Sequence, residues 1–169
     1  DWQDGESGSP TPLDLDEIFL HNDDERCLLV RGLPGSGKTT LLRHLTYRLA
    51  GAGLKDNGES IPVYLRLKTL NLDKTPLAEF VKERINSDSD SLESAAALCA
   101  PGRFLEKGMV LLFDGLDEIE HGETSRRIAE ALDDLARLHP RCTIIVCSRP
   151  IGLNRENFPR YRPLDLSPL

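Results

Sequence analysis

The chain has 169 residues, 39% of them apolar and 29% charged, which are the proportions of one globular domain and not of a disordered or fibrous chain. Its net charge of -7 originates in the first 25 residues, which hold nine acids and no Lys or Arg; the remainder is near neutral and lacks the clustered basic stretch of a nucleic-acid footprint. No run approaches ~18 consecutive apolar residues, which excludes a helical membrane span.

Residues 1–12, DWQDGESGSPTP, are acidic and rich in Gly, Ser and Pro, and read as a flexible lead-in. A folded domain is expected over 13–169, opened by a short apolar segment with Leu13, Leu15, Ile18, Phe19 and Leu20. Cys27–Arg31, CLLVR, is a continuous apolar run, as a strand covered on both faces requires. A glycine-rich turn follows, and then Leu41, Leu42, Leu45 and Leu49 recur at helical spacing until Gly51 and Gly53 stop the helix. Ile61–Leu67, IPVYLRL, alternates as a second strand. Thr75 and Pro76 start a helix with Leu77, Phe80, Val81 and Ile85 on one face. After the polar link SDSDSLES, residues 92–100 are a second short helical candidate. Met109–Asp114, MVLLFD, is another buried strand, and Ile128, Leu132, Leu135 and Leu138 line a helix that ends before Pro140. Thr143–Ser148, TIIVCS, is a further buried strand, and a weak one lies near Tyr161–Leu164. No internal repeat is visible. Strands alternating with helices predict an α/β fold: a three-layer α/β/α sandwich around a mainly parallel sheet.

The cysteines, Cys27, Cys99, Cys142 and Cys147, form no C-x-x-C pair. They read as reduced core thiols, so a cytoplasmic setting is the expectation.

Gly32-Leu33-Pro34-Gly35-Ser36-Gly37-Lys38-Thr39 satisfies G-x-x-x-x-G-K-[ST] between a buried strand and an amphipathic helix, with Thr40 next. A tight glycine loop can turn several backbone N–H groups toward a polyanion, and the helix opening near Gly37 adds its dipole. Lys38 is suited to the β and γ phosphates of a nucleotide, and the Thr39 hydroxyl to Mg²⁺. Asp114, at the carboxyl end of its strand, is expected at the same edge and is the second candidate ligand for Mg²⁺. Gly115 follows it, and the next acids are Asp117 and Glu118, either of which could orient the attacking water.

DGLDE after an apolar strand, together with GLPGSGKTT, closely resembles the NACHT group of signal-transducing P-loop NTPases, of the STAND class. IPVYLRL is similar to that family's second strand, and TIIVCSRP, with Ser148-Arg149-Pro150, to its sensor strand. The resemblance covers about residues 13–169. It implies a strand order 5-1-4-3-2, with the sensor strand between the phosphate-loop and metal-aspartate strands and Arg149 near the γ-phosphate. It also implies a slow ATPase working as a switch, in which ADP/ATP exchange controls conformation and self-oligomerisation in response to a trigger ligand, in a setting like that of innate immunity. Family members continue into further helical and winged-helix domains, so this chain is expected to be a piece of a longer protein. His21, His44, His121 and His139 match no nucleotide-contacting histidine of the family. No N/T-K-x-D guanine motif occurs, which makes ATP the default base. Two other functions fit the phosphate loop: a small-molecule or nucleotide kinase, for which Arg155, Arg160 and Arg162 are the only lid candidates, and a nucleotide-gated scaffold with negligible hydrolysis.

Overall fold

The computed structural model describes residues 26–53, 61–89, 109–119, 122–150 and 153–166. The lead-in 1–12, the apolar segment 13–20, the helical candidate 92–100, Cys99, His21 and His121 lie outside the described residues.

Five strands form one sheet: β1 Cys27–Arg31, β2 Ile61–Arg66, β3 Met109–Asp114, β4 Thr143–Ser148 and β5 Arg162–Asp165. Their order is β2-β3-β4-β1-β5, which is the expected 5-1-4-3-2 read from the other edge, and all four pairings are parallel. Among the described residues three α-helices flank it: α1 Lys38–Gly53, α2 Leu77–Ser89 and α3 Glu123–Leu138. Parallel pairing requires every strand to end at the same edge, so the loops after β1, β3 and β4 are gathered there.

Alternation along the strands divides the core in two. Leu28, Val30, Val110, Leu112, Ile145 and Cys147 pack with Leu42 and Leu45 of α1. Leu29, Leu111, Phe113, Ile144 and Val146 face the other way, onto Val81 of α2 and Ile128, Leu132 and Leu135 of α3. Central strands covered on both faces are apolar throughout, which is why β1, β3 and β4 read so clearly in sequence. The edge strands differ. β2 and β5 each carry a proline, Pro62 and Pro163, whose missing N–H is tolerated because no further strand among the described residues pairs there.

Several boundaries move. β2 stops at Arg66, and Leu67 begins a one-turn 3₁₀ segment, Leu67–Thr69, because its side chain is fully buried in the α2/α3 half of the core. α3 begins at Glu123, five residues before its first buried apolar side chain. Its polar first turns are held by Arg126, which bridges Glu123 and Glu130. β5 sits one residue later than its sequence pattern suggests; its last residue, Asp165, pairs with Arg31 at 2.7 Å.

Cys142 and Cys147 are buried and Cys27 is half-buried, and none of the three is in a disulfide. Burial pushes the Cys27 thiol up to about 11, and raises Cys142 and Cys147 as well, so all three are held protonated and unreactive near neutrality. No helix among the described residues is long and apolar enough to cross a membrane.

Leu112 is fully buried on the α1 face, directly upstream of the edge where the loops meet. Leu112→Ala is expected to destabilise the domain by roughly 2–5 kcal/mol in urea denaturation; a midpoint equal to that of the parent contradicts this packing.

Candidate nucleotide and metal site

The loop after β1 keeps the sheet's pairing for one more residue, since the Gly32 amide donates to the Ser148 carbonyl at 3.2 Å. It then closes a turn, Ser36 N–H to Leu33 O, and enters α1 with Leu41 N–H donating to Gly37 O at 2.7 Å. Gly35 and Gly37 both have positive φ, 79° and 88°, which an L side chain rarely adopts. Gly32 is constrained by space instead: a Cβ there would lie 2.4 Å from the Ser36 hydroxyl. The loop therefore needs its glycines for two separate reasons, backbone conformation and close approach.

The Lys38 ammonium donates back to the carbonyls of Gly32, at 2.6 Å, and Leu33, at 2.9 Å. These bonds draw the charge across the mouth of the loop and leave a third N–H to donate. Ser36 is buried, and its hydroxyl finds no hydrogen-bond partner among the described residues.

Asp114 leaves the end of β3 on the α1 side, following the parity of Val110 and Leu112. That is the side of the sheet on which Lys38 and Thr39 begin their helix. Its Oδ2 accepts a 2.6 Å hydrogen bond from the Tyr64 hydroxyl. Burial first, and then this bond, hold Tyr64 protonated above the usual tyrosine range.

Gly115 explains the form of the acidic motif. Its φ of 79° lets the chain turn straight off the strand into the 3₁₀ segment Leu116–Glu118, where Leu116 is buried as an anchor. A Cβ on Gly115 would lie 3.3 Å from the carboxyl carbon of Glu118, so the small residue also makes room for that side chain to fold over the turn. Asp117 and Glu118 then part company. Asp117, only 10% exposed, accepts the Arg149 amide at 3.2 Å and pairs with the Arg149 Nε at 2.7 Å. Glu118 is 53% exposed and has Lys68 at 3.9 Å.

Pro34, Gly35, Gly37, Lys38, Thr39, Thr40, Asp114, Gly115, Asp117, Glu118 and Arg149 line one cleft of ≈ 330 Å³. Of the loop residues singled out in sequence, Gly32, Leu33 and Ser36 lie outside its lining; Leu33 is exposed and the other two are buried. Arg155, Arg160 and Arg162 do not line it either, and Arg160 is paired with Asp133 of α3 at 3.1 Å. His44 is exposed on α1, and neither it nor His139 reaches the cleft. Tyr64 and Lys68 approach the site and were not singled out in sequence; each is tied to an acid on a different segment, 50 residues away in both cases.

The donors fit Mg²⁺ bound together with a polyphosphate. Thr39 and Asp114 supply hard oxygens to the same cleft. Among the described residues no cluster of three or more His, Cys, Asp or Glu could hold an ion alone, so phosphate and water oxygens would have to complete the coordination shell.

The NACHT domain model matches residues 26–168. No curated protein matches the chain. Among solved structures, PCH-2 from C. elegans is similar, with a TM-score of 0.51 and 16% identity over 92% of this chain and 38% of that one. The Aeropyrum pernix ORC1 protein, solved in complex with DNA, is similar with a TM-score of 0.50 and 15% identity over 92% of this chain and 42% of that one. At such identities the likeness is one of fold alone. The chain spans less than half the length of either protein.

Gly115→Ala is expected to cost about 1–2 kcal/mol in urea denaturation through left-handed backbone strain. A variant as stable as the parent contradicts the turn described for DGLDE.

Proposed function

The chain belongs to the NACHT family of P-loop NTPases, and from that premise we propose that it is the ATP-binding, slowly hydrolysing switch domain of a signalling protein. The observation that carries this reading is the convergence of Lys38, Thr39, Asp114, Glu118 and Arg149 on one cleft at the carboxyl edge of a parallel sheet. The folded domain is taken as residues 13–169 of a longer cytoplasmic, multidomain protein, with residues 1–12 as a linker.

In this reading the amides of residues 34–39 and the α1 N-terminus receive the phosphates. Lys38 exchanges its two carbonyl partners for phosphate oxygens, a step favoured because those oxygens carry a net negative charge and the carbonyls do not. Thr39 and Asp114 would hold Mg²⁺, directly or through water, and the ion would supply neutralisation of the phosphate charge. Glu118 orients the attacking water and accepts its proton. Its exposure and its place over Gly115 support that role above Asp117, whose carboxylate is already committed to Arg149. Asp117 thereby positions Arg149, leaving the two terminal amino groups of the guanidinium to meet the γ-phosphate. Loss of that phosphate would release Arg149 and Glu118, and the ADP and ATP states would differ in the loops they hold. Conformation and self-oligomerisation of the full protein would follow this difference, biased by a trigger ligand outside the chain.

Lys38→Ala is expected to weaken Mg·ATP binding at least about 100-fold in titration calorimetry; an unaltered affinity rules the site out. Glu118→Gln should bind ATP like the parent while single-turnover phosphate release slows about 100-fold or more. An unchanged release rate removes Glu118 from the mechanism. If the parent itself releases no phosphate, the scaffold reading replaces the hydrolytic one.

A further inference from the structure

Tyr64 is on the sheet's edge strand, outside the cleft lining, yet it reaches the metal-side carboxylate. In the β2–β3 register Tyr64 stands opposite Leu112, and Arg66 opposite Asp114. Period-two alternation puts all four on one face of the sheet. Asp114 is thus the diagonal neighbour of Tyr64, two residues beyond its direct partner, a span of about 7–8 Å that a long aromatic side chain can bridge. The bridge is made: the Tyr64 hydroxyl donates to Asp114 Oδ2 at 2.6 Å.

The residue type matters. Tyr64 is half-buried against the apolar cluster beneath α1, where phenylalanine would fill the same volume and bring no polar atom. The exposed Arg66 guanidinium lies close to the same hydroxyl. An arginine can only donate, so it faces the phenol oxygen and leaves the phenol proton to Asp114. A carboxylate with one oxygen held this way keeps its second oxygen for the cleft.

We propose that Tyr64 is a positioning residue for Asp114: its hydroxyl holds the carboxylate in the rotamer that meets the divalent cation, and so sets the cation affinity of the site. The inference rests on Asp114 holding Mg²⁺, as read above. Groups that hydrogen-bond a ligating side chain from behind commonly govern metal affinity 10- to 100-fold. Tyr64 touches neither phosphate nor water in this account, and its effect passes wholly through Asp114.

The test is a Mg²⁺ titration of ADP binding by calorimetry on the full chain, with an EDTA arm. Tyr64→Phe should leave the EDTA affinity within about twofold of the parent and raise the half-saturating Mg²⁺ concentration about tenfold. Asp114→Asn should raise it further, and adding Tyr64→Phe to Asp114→Asn should change nothing more. A Tyr64→Phe midpoint equal to the parent's, with Asp114→Asn shifted, overturns the role of Tyr64 alone. Equal losses in EDTA and Mg²⁺, or additive effects in the double variant, also overturn it, since they would report a loosened cleft. An unshifted Asp114→Asn instead overturns the reading of Asp114 itself.

Discussion

The site depends on register. In a parallel sheet every strand ends at the same edge, and every second side chain faces the same way. Asp114 shares the parity of Val110 and Leu112, and therefore projects over the sheet face that carries α1. The phosphate-loop residues Lys38 and Thr39 open that helix. A one-residue slip of β3 would send Asp114 into the α2/α3 half of the core and Phe113 toward the cleft. Such a slip would bury an unpaired carboxylate beside Leu65 and Val146 of other strands, at a cost the domain could not absorb. The position of the acid is thus enforced by the same burial that stabilises the sheet.

Beyond the strand ends, local backbone chemistry divides the work. The left-handed Gly115 turns the chain at once, and buried Leu116 pins the turn. Two consecutive acids then leave in different directions. One is nearly buried and clasped by Arg149; the other stays open to solvent beside Lys68. Two neighbouring carboxylates need not do the same job, and the motif's glycine is what lets them separate. The edge strand adds a second layer of control, because Tyr64 and Lys68, from β2 and the segment after it, reach Asp114 and Glu118 respectively. An edge strand that is free of neighbours on one side can spend its polar side chains on the site.

Much of this was legible before any coordinates. β1, β3 and β4 are short apolar runs because both faces are covered, and the loop glycines, Lys38, Thr39 and Asp114 sit at fixed offsets from them. The acidic pair was legible from its place just after Asp114, and Arg149 through a family resemblance. What sequence could not supply was pairing. The Tyr64–Asp114 bond needs the β2–β3 register, and the division between Asp117 and Glu118 needs the position of Arg149, 32 residues away from Asp117. The start of α3 was hidden for a different reason. Its first turns lie beyond the apolar stripe and are held by ion pairs of Arg126, which leave no hydrophobic period.

The central claim is that main-chain amides, the Lys38 ammonium and a cation held by Thr39 and Asp114 converge on one polyphosphate. A crystal structure of the chain with Mg²⁺ and a non-hydrolysable ATP analogue tests it most directly. The account predicts the β- and γ-phosphates within hydrogen-bonding distance of the Lys38 Nζ, with the cation on Thr39 Oγ1 and Asp114 no more than one water away. Phosphates bound elsewhere, or a cation remote from Asp114, would contradict it.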